Sequence, residues 1–116
     1  MLLKYPLVFA TALFVATPVT SSYAATTLSG AQLKKLIVGK TVRFQRGSRA
    51  TYKTDGTYRF RGNGRNDRGN WRISGNKVCI SFTNVDFRRC DQYVKDGDKY
   101  SLRDANGNQF PIRSIK

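Results

Sequence analysis

After Gly39, apolar residues recur at every second position in short runs, and turn-forming residues interrupt each run. Val78, Ile80 and Phe82 alternate with Lys77, Cys79 and Ser81, the period-2 signature of a strand with one buried face. Tyr58 and Phe60 alternate in the same way with Thr57, Arg59 and Arg61, and Trp71 and Ile73 with Asn70 and Arg72. Asp55-Gly56, Ser74-Gly75-Asn76, Asp96-Gly97 and Asn106-Gly107 supply residue types that tight turns need. The pattern predicts strands near 41–46, 50–54, 57–61, 69–73, 77–82, 87–94, 99–103 and 109–113. Between the third and fourth of these, Gly62 to Asn70 contains no apolar residue and reads as the longest polar connection. About eight short strands at this spacing predict a mostly β fold, a small antiparallel up-and-down barrel or curved meander, with a two-sheet sandwich as the alternative. No helix alternates with the strands, which argues against a parallel α/β sheet.

One short N-terminal helix is legible ahead of the strands. Ser29 is an N-cap with Gln32 three residues on, which makes a capping box, and Leu28 and Leu33 fit a hydrophobic staple. Leu33, Leu36 and Ile37 mark one apolar face, and Gly39 is placed to stop the helix. Its expected role is to cover one end of the β structure.

The pattern upstream is different. Lys4 precedes a run from Tyr5 to Val19 that is almost entirely apolar or small, and Ser22-Tyr23-Ala24 offers small residues at the −3 and −1 positions of a cleavage site. This predicts a signal peptide over 1–24 and a single basic β-rich domain over 25–116, exported to the periplasm or secreted. The apolar run is shorter than the ~20 residues that span a bilayer, so the chain is not expected to span a membrane once the signal is cleaved.

Cys79 and Cys90 are the only cysteines, and they fall on adjacent predicted strands. In an exported chain such a pair most simply forms a disulfide, and a small domain benefits from the staple.

Charge narrows the function. The chain has 21 Lys and Arg against 7 acidic residues, a formal net charge of +14, and all of the basic residues except Lys4 lie beyond residue 24. The acids are all aspartates, and histidine is absent. General acid–base chemistry near neutral pH draws on His or on a carboxylate of raised pKa. Here Asp55, Asp96, Asp98 and Asp104 sit at or beside turns, where a side-chain oxygen bonds backbone N–H groups. Asp96-Gly97-Asp98 and the Asp104 to Asn108 loop do not match the calcium-loop pattern, and no Cys/His set suits structural zinc. The reading is therefore a protein that is not an enzyme, with no metal and no cofactor.

Arginine outnumbers lysine after residue 24, and its planar fork grips phosphate and carboxylate in a bidentate way. Arg59, Arg61 and Arg72 alternate away from the apolar face, and Arg65 and Arg68 extend them from the polar connection. Arg59, Arg61, Arg65, Arg68 and Arg72 are the predicted polyanion-binding residues, supported from the core by Phe60 and Trp71. Arg43, Arg46 and Arg49 form a second group near the first hairpin. Tyr52, Tyr58, Phe60, Trp71 and Phe82 are assigned to the core rather than to a stacking platform. The expected ligand is an anionic envelope component: lipopolysaccharide, acidic polysaccharide, a lipid head group or nucleic acid.

Leu28-Ser29-Gly30, Asp55-Gly56-Thr57-Tyr58, Gly69-Asn70-Trp71-Arg72-Ile73, Val78-Cys79-Ile80 and Cys90 fall in an order that resembles a loose group of small secreted alphaproteobacterial proteins with no settled function. The resemblance covers nearly all of 25–116 and implies a periplasmic, barrel-like, disulfide-bonded domain with no catalytic residues to transfer. The Trp71 to Cys79 segment followed by Cys90 also resembles part of the small periplasmic β-barrel inhibitors of secreted proteases, in which an N-terminal segment enters the protease cleft. That resemblance implies a second reading, an inhibitor or accessory partner of another exported protein, with Ala25 to Leu28 as the segment.

Overall fold

The structure, a computed structural model, describes residues 25–116. The signal peptide expected over 1–24 lies outside the described residues.

Each alternating run pairs with the next in sequence. The strands are β1 (Thr26–Thr27), β2 (Lys40–Phe44), β3 (Arg49–Tyr52), β4 (Thr57–Gly62), β5 (Arg65–Ser74), β6 (Lys77–Phe82), β7 (Arg88–Asp96), β8 (Lys99–Arg103) and β9 (Gln109–Ile115). β2 to β9 are antiparallel neighbours in chain order, and β9 returns to pair with β2, so eight strands close an up-and-down barrel without a free edge. The sandwich alternative is thereby resolved in favour of the barrel. Closure hangs on the long strand β7, whose first residues pair with β6 while Gln92 to Asp96 pair with β8. Where β6 has ended, β1 takes its place, with Thr26 opposite Lys95 and Thr27 opposite Val94. The candidate inhibitory segment Ala25 to Leu28 therefore runs against the barrel, and the Leu28 N–H donates to the Tyr93 carbonyl at 2.9 Å.

The helix α1 (Gly30–Ile37) forms as its capping residues dictate. The Gln32 N–H donates to Ser29 Oγ at 3.2 Å, and the Ser29 N–H donates to Gln32 Oε1 at 2.9 Å. Leu33 and Ile37, fully buried, drive its apolar face into the barrel end near β2, β5 and β6. Gly30 comes so close to the carbonyl of Gly75 that no side chain would fit there. Inside, Tyr52 is the hub. Its ring meets Tyr58, Trp71 and Tyr93 at centroid distances of 5.2, 5.9 and 6.5 Å, and its hydroxyl shares a buried 2.7 Å hydrogen bond with that of Tyr93. Burial pushes both phenol pKa values upward, so the pair stays protonated and each hydroxyl keeps a donor.

One expectation fails. Gly62 to Asn70 is not a loop: β4 and β5 form a hairpin with Gly62 opposite Arg65. Asn63 and Gly64 make the two-residue turn with φ of 52° and 74°, the left-handed pair of a type I′ hairpin. An Asn-Gly turn is a strong hairpin signal, and the lack of apolar residues around it masked the strand. The inward positions there are Asp67 and Gly69, both buried, instead of the branched or aromatic residues that usually announce a strand.

Gly69 is needed for space. It lies between Tyr58 on β4 and Phe82 on β6, whose rings meet edge to face at 6.0 Å. A Cβ on Gly69 would stand 3.1 Å from the Ser81 carbonyl carbon and 3.2 Å from Phe82 Cα, and closer still to the Ser81 oxygen. Those contacts are backbone and cannot swing aside. Gly69→Ala is expected to cost about 2 kcal/mol or more through overpacking, read as a lower midpoint in urea unfolding.

Candidate functional sites

Because side chains alternate across a strand, the register sorts the arginines into those on the outer wall and those at the barrel mouth. On the outer wall, Arg43 of β2 lies opposite Arg49 of β3, and Arg49 lies opposite Arg61 of β4. One row along, Thr51 lies opposite Arg59, and Arg59 opposite Arg68. Neighbouring strands are ~4.8 Å apart and successive outward residues ~7 Å, so these guanidinium groups form a tight two-row array. Thr41, Thr51 and Lys53 sit among the arginines and line a shallow depression with them.

Among the described residues, none of these cross-strand positions holds an aspartate, and neither ion pair involves them. The nearest polar support is Asn66, whose Oδ1 accepts from Arg59 Nε at 3.4 Å. The Arg59 pKa is lowered, first by partial desolvation and then by the positive charges of Arg61 and Arg68. Like charges directly opposite on neighbouring strands oppose folding, so the wall is maintained at a cost in stability.

The predicted set is thus partly assembled and partly dispersed. Arg59, Arg61 and Arg68 come together, with Arg68 on β5 rather than on a loop. Arg43 and Arg49, assigned from the sequence to a separate group, belong with them. Arg65 does not face outward. It shares the inward side of β5 with Asp67, and Arg65 Nε lies 3.1 Å from Asp67 Oδ2 at the mouth. Arg72 is on the outer wall but four residues beyond Arg68, ~13 Å along the strand. It faces Cys79 across the β5–β6 register, and Cys79 faces Cys90 across β6–β7, where a disulfide joins them. Arg46, the third member of the first-hairpin group, lines the mouth. Phe60 is only partly buried and also lines the mouth, while Trp71 packs on Tyr52 and donates from Nε1 to the Lys53 carbonyl at 2.8 Å.

The end of the barrel opposite α1 is open. It holds a cavity of about 550 Å3, walled by Phe44, Tyr58, Phe60, Phe82 and Leu102 and crossed by charged groups. Asp91, 2 % exposed, receives Arg89 Nε at 2.8 Å and Nη2 at 2.9 Å. Burial raises the Asp91 pKa, and Arg89 pulls it back. Arg89 is two residues from Asp91 on one strand face, a spacing visible in the sequence, but only barrel closure shows that this face is interior. Asp55 and Asp104 are turn formers as expected. Asp55 Oδ1 accepts from Thr57 N–H and Oγ1, and Asp104 Oδ1 accepts from Asn106 and Asn108 N–H, which lowers both pKa values.

Comparison with family models, characterised proteins and solved structures gives no match for this chain.

Proposed function

We propose that this protein is a non-catalytic, exported binding module that holds anionic envelope components on the outer wall of β2 to β5. The observation that carries this reading is the array of Arg43, Arg49, Arg59, Arg61 and Arg68 in adjoining cross-strand positions with no acid between them. A wall that only kept the protein soluble would gain from interspersed aspartates, which would relieve repulsion and still be hydrated. Closely spaced guanidinium forks suit a ligand that presents phosphates or carboxylates at similar intervals. The disulfide between Cys79 and Cys90 accords with an oxidising compartment. The inhibitor reading has less support, because its candidate arm is paired with β7.

The test is a salt titration of the oxidised protein against lipopolysaccharide, an acidic polysaccharide and DNA. On DNA, replacing Arg59 and Arg68 together with Ser should weaken binding at least about tenfold at low salt and make the log K against log salt slope shallower by about two. The same variant should melt no lower than the parent, since a repulsive pair has been removed. Binding to all three polyanions that is unaffected by the double replacement would remove this wall from the function.

A further inference from the structure

The open mouth of the barrel has features that the outer wall does not use. Its volume of about 550 Å3 falls within the ~300–1,000 Å3 of small-molecule sites. Its sides are aromatic and its floor is buried, with Tyr58 7 % and Leu102 6 % exposed. Among the described residues, the exposed large apolar side chains are Val85, Phe87 and Phe110. Phe87 and Phe110 rim this cavity, and Val85 belongs to the same β6–β7 connection as Phe87. Phe87 is 54 % exposed and stacks on Phe82, with centroids at 5.8 Å and planes at 23°, which continues the aromatic wall outward. Exposed aromatics gathered at one opening mark a surface that a ligand covers.

Charge specifies the ligand further. Asp67 and Asp91 are neutralised by Arg65 and Arg89. Arg46 lines the mouth and takes part in neither ion pair among the described residues, so its guanidinium is free for a ligand, while Asp104 reaches the site through its field on Arg89 and Asp91. Arg89 lines the cavity and spends Nε and Nη2 on Asp91, which leaves its Nη1 donors outside that ion pair. A cationic ligand would meet the unpaired Arg46 guanidinium, and an uncharged one would leave it unused.

We propose that the barrel mouth binds a compact hydrophobic carboxylate, with its apolar body against Phe44, Phe60, Phe82 and Phe87 and its head group at Arg46 and the free edge of Arg89. The volume suits an aromatic or medium-length alkyl body. This site is independent of the polyanion reading, since the outer wall and the mouth share no arginine.

The experiment is displacement of anilinonaphthalene sulfonate fluorescence from the oxidised protein by decanoate, decanol and decyltrimethylammonium, which share one alkyl chain. Decanoate is expected to bind about tenfold more tightly than decanol, with the ammonium weakest, because a charge-assisted contact to arginine exceeds a neutral one. Arg46→Ser should reduce decanoate affinity about fivefold and leave decanol unchanged, whereas Lys77→Ser, at the helix end of the barrel, should change neither. Phe60→Trp, which fills the cavity, should weaken both decanoate and decanol. Equal affinity for decanoate and decanol, or indifference of decanoate to Arg46→Ser, would overturn the proposal. So would a concentration-dependent dimer in sedimentation that Phe87→Ser abolishes, since the mouth would then be an interface between copies.

Discussion

Arg89→Met is expected to destabilise the fold by about 3 kcal/mol at neutral pH, the lower end of the cost of stripping one partner from a buried ion pair. The lower end applies because the Arg89 side chain is 36 % exposed and already shares its charge with water, whereas Asp91 is 2 % exposed and depends on Arg89 for both oxygens. Without the guanidinium, burial and the Asp104 charge act on Asp91 unopposed, and its folded-state pKa rises beyond the already raised value. A carboxyl whose pKa is raised on folding binds its proton more tightly in the native state. Native stability then falls as pH climbs from the unfolded pKa through the folded one. The variant should therefore be least stable near neutrality and recover toward mildly acid pH, where Asp91 is protonated, as urea midpoints across that range would record. Combining Arg89→Met with Asp91→Leu should restore most of the loss at neutral pH, because a well-packed apolar pair replaces ions that were costly to bury. A flat pH profile for the single variant would mean that Asp91 reaches water when Arg89 is gone.

Reduction of the Cys79–Cys90 bond carries the second large effect. The bond joins residues that face one another in the β6–β7 register, across a sequence separation of 11. Closing so short a loop contributes about 3 kcal/mol by restricting the unfolded chain. In a domain of this size that corresponds to a fall in Tm of roughly 12–24 °C. Cys79→Ser with Cys90→Ser should reproduce it, and scanning calorimetry with and without reductant should give the same midpoint for that variant. The closed loop contains Thr83 to Phe87, one side of the barrel mouth. Reduction should therefore also raise hydrogen exchange at Val85 and Phe87 beyond the global change, whereas the helix end should follow global unfolding alone. A midpoint indifferent to reductant would mean that the β6–β7 hairpin is already restricted when unfolded.

The outer arginines and the buried pair show what kind of information each level holds. Alternation alone gives Arg59 and Arg61 an outward direction, because side chains on a strand must alternate. With Asn63-Gly64 as the hairpin turn, the same rule turns Arg65 of β5 inward with Asp67. The sequence pattern hides this half of β5 because a barrel interior near its mouth accepts an aspartate paired with arginine where a strand pattern calls for an apolar residue.

The sequence by itself determined the strand runs other than β1 and the first half of β5, the capped helix, the pairing of the cysteines and a heavy excess of arginine. These depend on period, on local backbone hydrogen bonding and on composition, which are properties of neighbouring residues. Only the tertiary structure decided that β9 closes onto β2, that Arg43 and Arg49 join Arg59, Arg61 and Arg68, and that Arg89, Asp91 and Arg46 meet at one opening. Those juxtapositions depend on cross-strand register. Register is settled by the whole set of inward side chains packing together, with Tyr52 and Tyr93 at the centre, rather than by any residue's immediate neighbours in the chain.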